Sequence, residues 1–229
     1  MRIEGLRKLT LLDYPGKVAC TLFTHGCNFR CPFCHNAALV VRPGEGEISE
    51  EELRAFLEKR RGILDGVCIT GGEPLLHNDI ADFLRLIRSY GYLVKLDTNG
   101  SRPELLRSII EQGLVDYVAM DIKSSPEGYA KVVGIPDFDI TPICESVSIL
   151  KNGAADYEFR TTVTAELHCD GDFHAIGKWL TGAKAYYLQQ FVDSGDLIGE
   201  NLHAASDEDM RRYLSVVRSY LPNAELRGM

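Results

Sequence analysis

The sequence predicts an α/β fold, a parallel sheet of barrel type built from about six strand–helix units in a single domain. Three observations lead there. Short runs rich in Val, Ile, Leu, Phe and Tyr alternate along the chain with amphipathic segments at helical spacing. Signatures of helix N-termini precede two of those segments. No Pro/Ser/Gly-rich linker, low-complexity tract or charge block divides the chain, so residues 1–229 read as one domain. Alternation of this kind places helices outside a parallel sheet. About six units favour a partial (β/α)6-type TIM barrel over a doubly wound sheet.

The elements follow in order. Val18 to Thr24 reads as the first strand. Ser49 with Glu52 forms a capping-box pattern, and Leu53, Phe56 and Leu57 then share a helical face. Val67 to Thr70 is a short buried strand that ends in Gly71-Gly72. Ile80, Phe83, Leu84 and Ile87 stand at i, i+3, i+4, i+7, one core-facing stripe of a helix. Tyr92 to Leu96 is a strand, and Ser101 with Glu104 caps a helix whose apolar side is Leu105, Leu106, Ile109 and Ile110. Val115 to Met120 is a strand and Thr141 to Leu150 a helix; Glu158 to Thr164 alternates as a strand and Phe173 to Leu180 as a helix. Lys184 to Phe191 is the last strand expected, and Met210, Tyr213, Leu214 and Val217 mark a final helix.

Bulk properties narrow the function classes. With 33 acidic and 25 basic residues the formal charge is −8, which disfavours a general binder of nucleic-acid backbone. The first eight residues carry charge without a following apolar run, so no signal peptide is expected. No stretch of about 18 apolar residues is available to span a membrane. The seven cysteines are odd in number, and three lie between positions 27 and 34. That clustering points to a metal site in a reducing cytoplasm rather than a disulfide framework.

The strongest local signal is Gly26-Cys27-Asn28-Phe29-Arg30-Cys31-Pro32-Phe33-Cys34-His35-Asn36, a CxxxCxxC directly after the first strand. Thiolates are the usual ligands of iron–sulfur clusters, and these short spacings let three sulfurs converge. Three local ligands on a 4Fe–4S cluster leave one iron open, which suits chemistry better than plain electron transfer. A zinc ion with His35 as a fourth ligand is the alternative, although His35 adjoins Cys34 and joint ligation is awkward. Gly71-Gly72 allows a close backbone approach to a ligand, or forms a tight turn. Asp97 and Asp121 each end a strand and so reach the same rim of a barrel. Asp97 could instead cap a turn. Lys123 meets an anion or solvent, and Arg160, inside an apolar strand, calls for an anionic partner. Cys20 and Cys68 read as small buried hydrophobes. Cys144 sits on a helix, and Cys169 with His168 and His174 makes a thin case for a second metal.

On these residues the chain resembles the radical S-adenosylmethionine (SAM) superfamily, whose motif is CxxxCxxC with an aromatic residue, here Phe33, before the last cysteine. Gly71-Gly72-Glu73-Pro74 is similar to the family's GGEP segment. Asp97-Thr98-Asn99-Gly100 and Asp121-Ile122-Lys123 resemble segments of glycyl-radical-enzyme activases. Leu12-Asp13-Tyr14-Pro15-Gly16 and Leu188-Gln189-Gln190-Phe191 resemble the narrower group that activates anaerobic ribonucleoside-triphosphate reductase. The resemblance implies one 4Fe–4S cluster on Cys27, Cys31 and Cys34, and SAM contacted by Phe33, His35, Gly71, Gly72, Glu73, Asp97, Asp121, Lys123 and Arg160. It also implies a monovalent cation at Asp97, Thr98 and Asp121. The implied reaction is reductive cleavage of SAM to a 5′-deoxyadenosyl radical, which abstracts hydrogen from a glycine of a partner enzyme. Reduced flavodoxin or ferredoxin would be the donor. A late-strand histidine of pyruvate formate-lyase activases has its counterpart near Val192, so that contact is not expected here.

Overall fold

The computed structural model describes residues 1–41 and 48–229. Among them one eight-stranded sheet runs in the order β1-β2-β3-β4-β5-β6-β7-β8. The strands are β1 (Ile3–Thr10), β2 (Ala19–Thr24), β3 (Gly66–Gly71), β4 (Leu93–Thr98), β5 (Tyr117–Asp121), β6 (Asp156–Val163), β7 (Tyr186–Gln190) and β8 (Ala224–Arg227). β1 pairs antiparallel with β2, and every later neighbour pairs parallel. The helices are α1 (Ala37–Val41), α2 (Glu50–Lys59), α3 (Ile80–Ser89), α4 (Pro103–Glu111), α5 (Tyr129–Val133), α6 (Thr141–Asn152), α7 (Asp170–Leu180) and α8 (Asp207–Arg218). Six helical crossovers therefore join β2 to β8, the six units expected. The sheet stays open, because β1 and β8 are its two edges.

Period-two alternation divides the strands into two faces. Leu22, Ile69, Leu96, Met120, Phe159 and Leu188 are fully buried, and they belong to the core that the helices cover. The helix stripes match the spacing in the sequence: Ile80, Phe83, Leu84 and Ile87 are buried on α3, and Met210, Tyr213 and Val217 on α8. Burying each such side chain contributes about 1.5–3 kcal/mol. The Ser49–Glu52 capping box forms as expected.

The short helices α1 and α5 have no counterpart in the sequence reading, and three further elements differ from it. Ser101 does not cap α4: Arg102 occupies the cap position without a side-chain bond, and Pro103 opens the helix. The Ser101 hydroxyl instead accepts from Asn28 Nδ2 at 3.0 Å, because the loop after β4 packs on the cysteine loop. Strand β1 escapes the pattern because Glu4, Arg7 and Lys8 interrupt it, as charges often do on edge strands. Strand β8 is four residues long and carries Glu225 and Arg227, too short and too charged for a propensity signal.

Candidate functional site

In a parallel barrel the loops after the strands gather at one rim, and four of the motif segments lie there, whereas Leu12–Gly16 joins β1 to the start of β2 at the other end. Thr24 ends β2 and leads into the cysteine loop; Gly71-Gly72-Glu73 follows β3, Asp97-Thr98-Asn99 closes β4, and Asp121-Ile122-Lys123 closes β5. One cavity of about 750 Å³, open space at its mouth included, touches all four. Cys27, Cys31 and Cys34 line it together with Phe33 and His35 on one side, and Gly71, Gly72, Glu73, Asp97, Thr98, Asp121 and Lys123 on the other.

The cysteine loop is held by its own backbone and its neighbours. Arg30 Nη1 donates to the carbonyls of Cys27 (2.7 Å) and Phe29 (2.8 Å), and Arg30 N donates to Val133 O (2.9 Å). Asn36 Nδ2 donates to Gly71 O (2.9 Å), tying the far end of the loop to β3. The two glycines are required by this packing: a Cβ on Gly72 would lie 1.7 Å from Gly26 O, and one on Gly71 2.3 Å from Thr24 N. Gly71 also has φ +114°. Gly72 N–H and Glu73 N–H donate to Thr24 O and Gly26 O. The GGE segment therefore clamps the cysteine loop, a role the glycines fill whatever the cavity holds.

Burial pushes the thiols of Cys27 and Cys31 up, to about 11 and about 12, and raises that of Cys34 as well. Without a bound metal all three are protonated at neutral pH, so metal binding releases protons. Three thiols lining one cavity supply the three protein ligands of a 4Fe–4S cluster with one open iron.

Opposite the thiols stands a buried ion network. Arg160 bonds Asp121 Oδ1 at 3.0 Å and reaches Asp97 Oδ2 at 3.5 Å; Lys95 pairs with Asp97, and Lys123 Nζ lies 2.9 Å from Asp121 Oδ2. Burial opposes ionisation of Asp121, yet Arg160 and Lys123 hold its carboxyl well below the usual range. Asp97 is lowered in the same way, against its burial, by Arg160 and Lys95. Burial disfavours the charged Lys123, but Asp121 outweighs it and holds the ammonium firmly protonated. Lys95, Lys123 and Arg160 face Asp97 and Asp121, and of these cations Lys123 lines the cavity, 5.9 Å from the Phe33 ring centroid.

Two expected residues are committed to protein partners. Arg160 does not line this cavity; it lines a second one inside the barrel with Lys95, Glu158 and Arg227, and its guanidinium is spent on Asp97 and Asp121. The carboxylate of Glu73 is fully buried and accepts from Leu75 N, Thr98 Oγ1 and Asn99 N, so its side chain braces two rim segments. Its burial raises the pKa to about 7. Val192 is exposed. Asn36 and Asn99 belong to motif segments but have no expected role of their own, and His168, expected only beside Cys169 and His174 as a thin metal case, has a different place. The buried His168 ring accepts from Thr164 N and donates to Lys123 O at 2.9 Å, steadying the lysine segment. The Cys169 thiol donates to Asp172 Oδ2.

Comparison with known proteins bears on this geometry. A Methanocaldococcus jannaschii protein named as a glycyl-radical enzyme activating enzyme is 29% identical, covering 98% of this chain and 95% of its own length. The pyruvate formate-lyase-activating enzyme of Clostridium pasteurianum is 32% identical over 139 residues, 58% of this chain and 57% of the relative. The crystal structure of Streptococcus suis SuiB bound to the precursor peptide SuiA shares the fold, with a TM-score of 0.71 at 13% identity over 91% of this chain and 48% of that one. The family model described as the radical SAM superfamily matches residues 21–154, from β2 through α6. With its three cysteines, its GGEP segment and its charged strand ends around one cavity, this chain belongs to the radical SAM superfamily, whose members use a 4Fe–4S cluster and S-adenosylmethionine.

Proposed function

We propose that this chain is a glycyl-radical-enzyme activase whose partner is anaerobic ribonucleoside-triphosphate reductase. The observation that carries the cofactor reading is the convergence of Cys27, Cys31 and Cys34 with the ends of β3, β4 and β5 on one cavity. The activase reading rests on similarity along nearly the whole chain to a protein named for that activity. The choice of reductase rests on the Leu12–Gly16 and Leu188–Phe191 segments.

When bound, the cluster and SAM supply a 5′-deoxyadenosyl radical, which takes a hydrogen atom from a glycine Cα of the partner. The chain's residues prepare the place. Cys27, Cys31 and Cys34 would hold three irons, and Phe33 and His35 flank them in the cavity wall. The Lys123 ammonium suits the carboxylate of SAM, and the Gly71-Gly72 main chain in the same cavity would receive its amino end. Asp97 and Asp121 position Lys123 and Arg160 rather than facing the ligand bare. A monovalent cation at Asp97, Thr98 and Asp121 would need Lys123 to swing away, because both carboxylates already face a lysine and Arg160. The electron donor is a reduced flavodoxin or ferredoxin, and the setting is the reducing cytoplasm.

The test is anaerobic reconstitution with iron and sulfide, then SAM and dithionite. Methionine and 5′-deoxyadenosine are the expected products, and their absence overturns the cofactor reading. Incubation with the reductase should then yield a doublet glycyl radical by electron paramagnetic resonance. Silence with reductase alongside continued SAM cleavage overturns the partner alone.

A further inference from the structure

Asn99 occupies an unusual position between the motifs. It is buried and follows β4, and each polar group of its side chain and its main-chain N–H has a partner. Its N–H donates to Glu73 Oε2. Its Oδ1 accepts from Ser101 N at 2.9 Å. Its Nδ2 donates to Asn28 Oδ1 at 3.0 Å and approaches Cys27 Sγ at 3.8 Å. The orientation of the amide is determined by this network. Ser101 N–H can only donate, so the oxygen must face it, and the NH2 group must face the thiol. Asn28 is anchored in turn, since its Nδ2 donates to Ser101 Oγ.

We infer that Asn99 is a positioning residue for the cluster ligand Cys27, aiming one amide N–H at its sulfur and so raising the reduction potential of the cluster. The inference rests on the cluster reading above. A hydrogen bond to a ligating sulfur draws electron density from it and favours the more electron-rich, reduced state. The effect is local, because the donor is an uncharged amide on a buried side chain. The same side chain bonds Cys27 and its neighbour Asn28, so it also sets where the first thiolate of the motif stands relative to the β4 rim.

Three variants separate this role from a purely structural one. Asn99→Asp keeps the shape and the acceptor for Ser101 N–H but turns the donor into an acceptor. Asn99→Ala removes the side chain, and Asn28→Ala removes the neighbouring acceptor while leaving the donor to Cys27. Each is reconstituted anaerobically, assayed for iron and sulfide, and titrated with dithionite and mediators under electron paramagnetic resonance. At the wild-type midpoint, Asn99→Asp and Asn99→Ala should show at least a tenfold lower ratio of reduced to oxidised cluster, a shift of 59 mV or more for one electron. Asn28→Ala should change that ratio less than threefold. Loss of cluster from both Asn99 variants, with their folds intact and Asn28→Ala still loaded, also supports the assignment. A ratio changed less than twofold in loaded Asn99 variants overturns it, as does global unfolding of both. If the wild-type protein takes up no cluster, the failure belongs to the cluster reading instead.

Discussion

The two faces of the sheet obey different physics. The outer face presents Leu22, Ile69, Leu96, Met120, Phe159 and Leu188 to the helices, and its stability is additive burial. The inner face carries Lys95, Asp97, Glu158, Arg160, Asp121 and Arg227, drawn together by charge across strands that are not all neighbours. The Arg227 guanidinium spans β7 to reach Glu158 on β6, with contacts of 2.7 and 2.8 Å. Such ions are expensive to desolvate and are offset only by one another. The difference teaches where to look for chemistry: the outer face makes the barrel, and the inner face ends at the thiols.

The largest expected effect lies at that end. Cys31→Ala should abolish iron binding after reconstitution, whereas Cys144→Ala, on the outer helix α6, should keep the wild-type iron content. Equal iron in both would break the contrast at its functional end.

Next come the faces themselves. Arg160→Met removes the cation shared by Asp97 and Asp121 and should cost about 3 kcal/mol at neutral pH, the low end for a broken buried pair because each carboxylate keeps a lysine. Leu96→Ala should cost about 2–5 kcal/mol. Their pH dependence should differ. The depressed carboxylates contribute stability above the ordinary aspartate value of 3.8, and that contribution fades as pH falls below it. Urea denaturation should therefore show the Arg160→Met deficit shrinking below pH 3.8, while the Leu96→Ala deficit holds steady. Two parallel profiles would mean that the inner network is only packing.

A smaller effect is expected at Glu73. Its carboxyl is raised from 4.5 to about 7 by burial, so between those values the folded state holds a proton that the unfolded state has lost. Stability should fall as pH rises through that window, and Glu73→Gln should flatten the slope in thermal melts. The smallest effect belongs far from either face. Ser49→Ala deletes the cap of α2 and should cost about 1 kcal/mol without changing cluster content.

Much of this was legible from local pattern. The alternation of strands and helices, the stripe on α3, the capping box at Ser49 and the CxxxCxxC loop are all local, because each depends on residues within one or two turns or strands. The misreadings share a cause. Ser101 resembles a helix cap, but Asn28 from the cysteine loop bonds its hydroxyl and Pro103 starts the helix, facts 73 residues apart in one case. Strands β1 and β8 carry too many charges to announce themselves, since an edge position and an inner face both tolerate them.

The sequence by itself determined the residue types at the rim, their order and the superfamily, because thiol spacing and glycine pairs are chemical requirements written in consecutive positions. Only the tertiary structure decided how those residues divide their work. It turned Glu73 and Arg160 onto protein partners, put Lys123 in the cavity wall, and aimed Asn99 at Cys27. Hydrogen bonds and ion pairs across strands are made between side chains distant in the chain, and no local pattern encodes which of several available partners a buried group will meet.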